Sequence, residues 1–283
     1  MLENANENSY SLLMNTATIQ TARPPTGTQE WAATNVNIQD GCEHDCRYCY
    51  AKTMAIRFKR ATAASWGKPR LRQHDLDRGF TRRSGRIMFP TAHDITDRNI
   101  GECLTVLGRM LAAGNDLLIV SKPRLSCVKR LCEELAQYRA QIVFRFSIGS
   151  TDDSVLSYWE PGAPSFKVRL ACLQYAYASD FETSVSGEPM LDDNPDALIA
   201  AVRPYVSDSI WLGKINRLRQ ILPFNCPRNA EAVRRGEALM AIQTDAAIRA
   251  LYARHRRDPL VKWKDSIKAV VGLPNPPRSG MDQ

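Results

Sequence analysis

Short apolar runs, five to eight positions long, recur along this 283-residue chain between longer stretches with helical spacing. They are Arg86–Pro90, Asp116–Ser121, Gln141–Ile148, Phe181–Val185 and Ser209–Gly213, preceded by the strand-like run Thr34–Ile38. These runs are rich in β-branched and aromatic residues and apolar on both faces, the pattern of parallel strands covered on both sides. Between them, helical spacing covers Asp97–Ala113, Ser126–Ala140, Pro164–Ala178 and Asn194–Tyr205. Asp97 and Ser126 are suited to cap helix starts and Gly114 to end a helix, and Ser150 and Asp152 read as caps of a further helix. Six β–α units in succession predict an α/β fold, a partial (β/α)6 parallel barrel with functional groups at the carboxyl ends of its strands.

The flanks differ in character. Residues 1–33 are polar and punctuated by Pro and Gly, which predicts an extended N-terminal arm before a barrel at 34–216. Residues 217–271 read as a C-terminal helical extension and 272–283 as a disordered tail. The start lacks a basic region followed by an apolar stretch, and no run of 18 apolar residues occurs, so neither a signal peptide nor a membrane span is expected. Eight cysteines in such a chain suggest a reducing cytoplasm rather than a disulfide framework.

Three of those cysteines change the picture. Cys42, Cys46 and Cys49 lie within eight residues, in GCEHDCRYCYA. Thiolates so close in sequence can serve one soft metal centre: zinc, Cu(I) or an iron–sulfur cluster. Structural zinc wants four ligands, and His44 could complete the set. Iron–sulfur clusters usually take four cysteines, so three would leave one iron open to a small molecule. Cys103, Cys127, Cys132 and Cys172 fall in helical stretches and read as small buried side chains. Cys226, in PFNCPRN, reads as a loop residue.

Charge is uneven. Between Lys52 and Arg86 stand eleven basic and two acidic residues, a net of +9 against +8 for the whole chain. Phe58, Trp66 and Phe80 are interleaved, and Arg70, Arg72, Arg82 and Arg83 lie close together. Such a stretch suits a phosphate backbone with unstacked bases; a solvated basic face is the plainer alternative. A second block runs from Arg249 to Lys268 around Trp263. Polar groups close four strands: Thr91, His93 and Asp94; Ser121, Lys122 and Arg124; Ser147 and Ser150; Lys214 and Asn216. His93, Asp94, Lys214 and Asn216 are thereby candidate catalytic residues.

The cysteine loop resembles that of the radical S-adenosylmethionine (SAM) superfamily. With the VSKP strand end, EPGAP followed by Arg169, and IWLGKIN, it resembles the spore photoproduct lyase-like branch over about residues 34 to 216. The resemblance implies a 4Fe-4S cluster on Cys42, Cys46 and Cys49, whose open iron chelates SAM, and one electron that cleaves SAM to a 5′-deoxyadenosyl radical. It implies Tyr48 beside the adenine, Lys122 and Ser147 on SAM, and Arg169 on the SAM carboxylate, oriented by Glu160. It also implies an electron donor such as flavodoxin or ferredoxin. The branch has a hydrogen-donating cysteine just after its second strand. Here that stretch is Thr91-Ala92-His93-Asp94, so dimer repair by that route is not expected. The expectation is a lyase or modifying enzyme acting on DNA, RNA or a nucleotide-like substrate. The alternatives are a peptide or small-molecule substrate, or a non-catalytic nucleic-acid-binding metalloprotein.

Overall fold

The computed structural model describes residues 24–282; most of the expected N-terminal arm, residues 1–23, lies outside them. Strands follow in the order β1 (Thr34–Asn35), β2 (Gln39–Asp40), β3 (Arg70–Leu71), β4 (Ile87–Phe89), β5 (Leu117–Ser121), β6 (Ile142–Ser147), β7 (Glu182–Gly187), β8 (Ile210–Leu212) and β9 (Val261–Trp263). Seven of them form one sheet in the order β1-β4-β5-β6-β7-β8-β9, and every neighbouring pair is parallel. This is a parallel α/β partial barrel, as the apolar runs predict. β2 and β3 make a separate antiparallel ribbon. Among the described residues no helix is long and apolar enough to cross a membrane.

Among the described residues, eleven α-helices accompany the strands. They are α1 (Tyr50–Arg57), α2 (Gln73–Asp77), α3 (Ile100–Ala112), α4 (Leu125–Glu134), α5 (Asp153–Trp159), α6 (Phe166–Ala178), α7 (Pro195–Val202), α8 (Leu218–Asn225), α9 (Ala230–Ile242), α10 (Asp245–His255) and α11 (Asp265–Val271). Asp152 caps α5 by accepting from the Ser154 amide at 2.7 Å, and Gly114 ends α3 in the left-handed region, at φ +78°. Asp97 and Ser126 do not cap. α3 starts after Asn99 and α4 after Arg124. The Ser126 hydroxyl instead donates to Asp97 Oδ1 at 2.5 Å, so the two residues join the helix starts to each other.

Two apolar layers result. One, on the helix-covered face, contains Ile87, Phe89, Leu117, Ile119, Phe144 and Phe146, and takes in Cys103, Cys127, Cys132 and Cys172 as buried side chains. The other gathers Met88, Leu118, Val143 and Trp211 from alternate strand positions, with Trp31 packed among them. Arg145 is buried beside it. Its guanidinium lies 4.6 Å from the Trp31 ring centre and 5.3 Å from that of Trp211, and it donates to Ser184 and Asp208. Burial lowers its pKa to about 10 against the pull of Asp208.

β9 arises in the stretch read as wholly helical. Its neighbour Lys264, read as part of a basic surface block, is fully buried. The ammonium bonds Gly27 O at 2.6 Å and Glu30 Oε1 at 2.7 Å, and sits 3.9 Å above the Trp31 ring. Lys268 is buried too, paired with Glu30 and Asp282. Residues 280 and 282 of the expected tail hydrogen-bond to Gln29 and Glu30. The segment before β1 is thereby tied to residues after β9, across the two unpaired edges of the sheet.

Arg145→Ala removes the cation and leaves Asp208 without its buried partner. The cost should be about 3–5 kcal/mol, read as a lower midpoint of urea unfolding. An unchanged midpoint would mean that the tryptophan layer holds the sheet without the cation.

Candidate functional site: the cysteine loop and the carboxyl edge of the sheet

Because all seven strands run one way, their carboxyl ends share one edge, and the cysteine loop lies between β2 and α1. Gly41 opens the loop at φ +86°. A side chain there would meet Trp66 O at 2.7 Å, and the Cys42 amide donates to that same carbonyl. Cys49 caps α1, its sulfur accepting from the Lys52 amide at 3.4 Å. From α8, the Asn225 side chain donates to the carbonyls of Arg47 and Cys49, at 3.0 and 2.8 Å. The turn after α5 closes the other flank. Arg47 N donates to Trp159 O at 2.8 Å and Gly162 N to His44 O at 3.0 Å.

Burial raises all three thiols: Cys42 up to about 12, Cys46 well above the ordinary thiol value, and Cys49 in the same direction. Bare thiolates are therefore unstable here, and a polycationic iron core that takes the charge fits the donor set. A single zinc ion fits poorly. Among the described residues no group of three or more His, Cys, Asp or Glu side chains converges on one ion. His44, the proposed fourth ligand, is turned to Asp94, with Nδ1 3.1 Å from Oδ2. A cluster in which each thiolate holds its own iron needs no such convergence.

Around Cys46 the strand ends supply charge. Glu160, 1 % exposed, holds Arg169 at 2.5 Å and Lys122 at 3.8 Å, and accepts from the Tyr48 hydroxyl. Burial would raise Glu160, but Arg169 and Lys122 outweigh it and hold the carboxylate below its ordinary range. Burial and the Glu160 charge raise Tyr48, so the phenol stays a donor. Lys122 is raised as well: burial would lower it, yet Cys46, Glu160 and Asp94 prevail. Asp94 shows the same contest. Burial pushes it up, while His44 and Lys122 hold it at about 2. It accepts from the amides of Ile95 and Lys122 at 2.8 and 2.9 Å, and from the Ser121 hydroxyl.

The candidates thus separate. Asp94, Lys122, Tyr48, Arg169 and Glu160 meet at the cysteine loop, with Ser147 adjoining through its carbonyl, 3.1 Å from Arg169 Nη1. His93 spends both ring nitrogens on backbone. Nε2 accepts from the Ile38 amide and Nδ1 lies against Asp94 O, both at 3.1 Å. Burial lowers it to about 4, which keeps the ring neutral. Lys214 faces Asp245 of α10 at 3.4 Å, and Asn216 is exposed. Cys226 places its sulfur 3.9 Å from Arg47 Nη1. Sequence reasoning missed Asn225 and the approach of Gly162, for which a glycine between two prolines was the one available hint.

With this geometry in view, solved structures with the same architecture can be compared. A cysteine variant of spore photoproduct lyase with a dinucleoside spore photoproduct has a TM-score of 0.51 at 14 % identity, over 81 % of this chain and 80 % of that one. A double variant with bound AdoMet and the same dinucleoside also has 0.51, at 16 % identity, over 88 % and 79 %. The chain shares the fold of spore photoproduct lyase. The resemblance of the cysteine loop to that branch of the radical SAM superfamily is matched at the level of fold. No family model matches the sequence. An uncharacterized protein, ORF301 of Acidianus two-tailed virus, is 27 % identical over 176 residues, 58 % of this chain. The chain spans 57 % of that relative's length.

Gly162 gives this site a steric test. A Cβ there would lie 2.1 Å from Glu43 O, against backbone that cannot swing aside, whereas one on Gly108 would meet nothing within 4 Å. Gly162→Ala should push the loop off its seat and lower the iron retained after anaerobic reconstitution. Gly108→Ala should retain wild-type iron and gain about 1 kcal/mol of stability from helix propensity. Full iron in Gly162→Ala would show that the turn after α5 does not position the loop.

Proposed function

We propose that this chain is a radical SAM enzyme acting on a nucleic acid or nucleotide-like substrate. The observation that carries the reading is the assembly of Lys122, Glu160, Arg169 and Tyr48 against the three-cysteine loop, at the carboxyl edge of the fold found in spore photoproduct lyase. Cys42, Cys46 and Cys49 would hold a 4Fe-4S cluster with one iron open to SAM. When bound, that cluster supplies the electron that cleaves SAM to methionine and a 5′-deoxyadenosyl radical.

The chain's own residues do the rest. Lys122 keeps its proton and offers a charge-assisted donor to the cofactor's carboxylate. Glu160 fixes both Lys122 and the Tyr48 ring, which lies 5.8 Å from the Lys122 ammonium. Arg169, spent on Glu160, Pro164 O and Ser147 O, acts by orientation. Its assignment as a carboxylate ligand gives way here to that supporting role. Ser147 stands at the end of β6 with its hydroxyl available to the ribose or amino-acid end of SAM.

A nucleic-acid substrate is supported by the basic stretch and by the dinucleoside held in the solved relatives' structures. Its four arginines are not equivalent. Arg72 is tied to Asp40, Asp75 and Asn37 O. Arg83 is half-buried, while Arg70 and Arg82 are exposed. The absence of a cysteine at 91–94 argues against spore photoproduct itself as the substrate.

Reconstituted protein with dithionite should release 5′-deoxyadenosine, and Cys46→Ala should release none. Lys122→Ala should keep its iron and bind SAM about ten- to a hundredfold more weakly, the value of a charge-assisted bond. Full cleavage by Cys46→Ala would sink the reading.

Single-stranded DNA should bind with strong salt dependence, and Arg70→Gln with Arg82→Gln should reduce the slope of log affinity against log salt by about 1.4. A wild-type protein indifferent to salt would leave a peptide or small molecule as the substrate.

A further inference from the structure

The inner face of the sheet ends in a charged group that the proposed chemistry leaves unused. Met88, Leu118, Val143 and Trp211 form the apolar layer of that face. Arg145, two residues past Val143, lies against Trp31 and Trp211. Strand side chains alternate between faces, so Lys122 and Ser147 stand on this face nearer the carboxyl edge. Ser186 of β7 is in register with Ser147 of β6. Two residues further, just past the end of β7, comes Glu188. It shares the face and the edge of Lys122 and Ser147, two of the proposed SAM contacts.

Glu188 is held there but not satisfied. A side chain on Gly213, at the end of β8, would meet Glu188 Cγ at 2.8 Å and Lys264 Cβ at 3.1 Å. The glycine thus leaves the space that these two side chains take. Among the described residues the one ion-pair partner of Glu188 is Lys264, with Nζ 3.7 Å from Oε2. That ammonium is already taken at 2.6 and 2.7 Å by Gly27 O and Glu30. Asp265 adds a like charge and Arg145 an opposite one. Burial raises the carboxyl above its ordinary range, and Lys264 offsets this only in part. Yet 23 % of the side chain is exposed. A half-buried carboxylate short of donors suits a ligand that brings N–H groups.

Two neighbouring acceptor oxygens and no donor define what fits. Bases of a single strand are open to reading on their Watson–Crick edges. Guanine alone among the common bases offers two adjacent donors there, N1–H and the N2 amino group. Thymine and uracil flank N3–H with carbonyls, and adenine and cytosine set a ring acceptor beside the amino group. Each of these turns a lone pair on the carboxylate. The guanidinium of an arginine has the same donor fork, but the net +9 of residues 52–86 favours a polyanion over a cationic peptide.

We propose that Glu188 is a specificity-determining residue, which accepts from N1–H and the N2 amino group of an unpaired guanine at the carboxyl edge of the sheet. The inference rests on the nucleic-acid reading above and names the base that this site selects.

The test uses the reconstituted full chain and single-stranded oligothymidylate with one central guanine, hypoxanthine, adenine or cytosine. Hypoxanthine keeps N1–H and lacks the amino group. Wild type should bind the guanine strand about tenfold more tightly than the hypoxanthine strand, as the loss of one bond to a charged group implies. Adenine and cytosine strands should bind more weakly still. In Glu188→Gln the advantage of guanine over hypoxanthine should vanish, since the amide turns an N–H on one of guanine's donors. The variant should keep wild-type iron, and a ratio of two affinities within one protein is insensitive to its folded fraction. Equal affinity of wild type for the guanine and hypoxanthine strands would overturn the proposal and leave the nucleic-acid reading standing. So would a guanine preference that persists in Glu188→Gln. If wild type binds none of the strands, or binds an arginine-rich peptide in their place, reading and proposal fall together.

Discussion

A carboxylate with 1 % exposure governs the geometry of this protein. Burying an ion such as Glu160 is costly unless every lone pair finds a partner. Here three partners arrive from three places: Arg169 from α6, Lys122 from the end of β5, and Tyr48 from the cysteine loop. Each compensates the charge only while the others hold their positions. Two residues further on, Gly162 rests against the backbone of Glu43. The location of the thiols is therefore set by packing and charge in a different element, and not by the loop's own short sequence.

Asp94 plays a parallel part on the opposite flank. It reaches His44 in the loop while accepting from Ser121 and from the Lys122 amide at the neighbouring strand end. Two buried carboxylates, one after β4 and one after α5, thus hold a loop that itself carries three groups poorly disposed to ionise. The loop is thus held by contacts from β4, β5 and the turn after α5 as well as by its own backbone.

Much of this was visible beforehand because parallel strands buried on both faces are short and rich in apolar, β-branched and aromatic residues, and six of the seven could be read from the sequence. β9 was hidden for a physical reason. It is three residues long, with Lys262 at its centre and Lys264 just after it, lysines that sequence alone assigns to solvent. Lys264 is buried only because Glu30, from far along the chain, comes to meet it. Asp97 and Ser126 carried cap chemistry, yet each found the other first. His93 stood where a catalytic residue belongs, and its bond from the Ile38 amide makes it a brace between the segments that follow β1 and β4. The three cysteines and Lys122 were legible from spacing and strand position. Asn225 and Gly162 were not, since their roles exist only across separations of more than a hundred residues.

The seam where β1 and β9 fail to pair also constrains how the molecule is made. Lys264 reaches Gly27 O across 237 residues, while each inner strand pairs with the next one along the chain. Closing a loop that long costs entropy that grows only as the logarithm of its length, about 0.6 kcal/mol per doubling. The penalty is modest once the sheet has formed and severe before, when nothing else holds the ends near each other. Assembly should therefore proceed strand by strand from β4 to β8, with the clasp of Glu30, Trp31 and Lys264 shut last. Until it shuts, the Trp211 face of the sheet stands open to water, and in that interval a nascent chain is most exposed to aggregation.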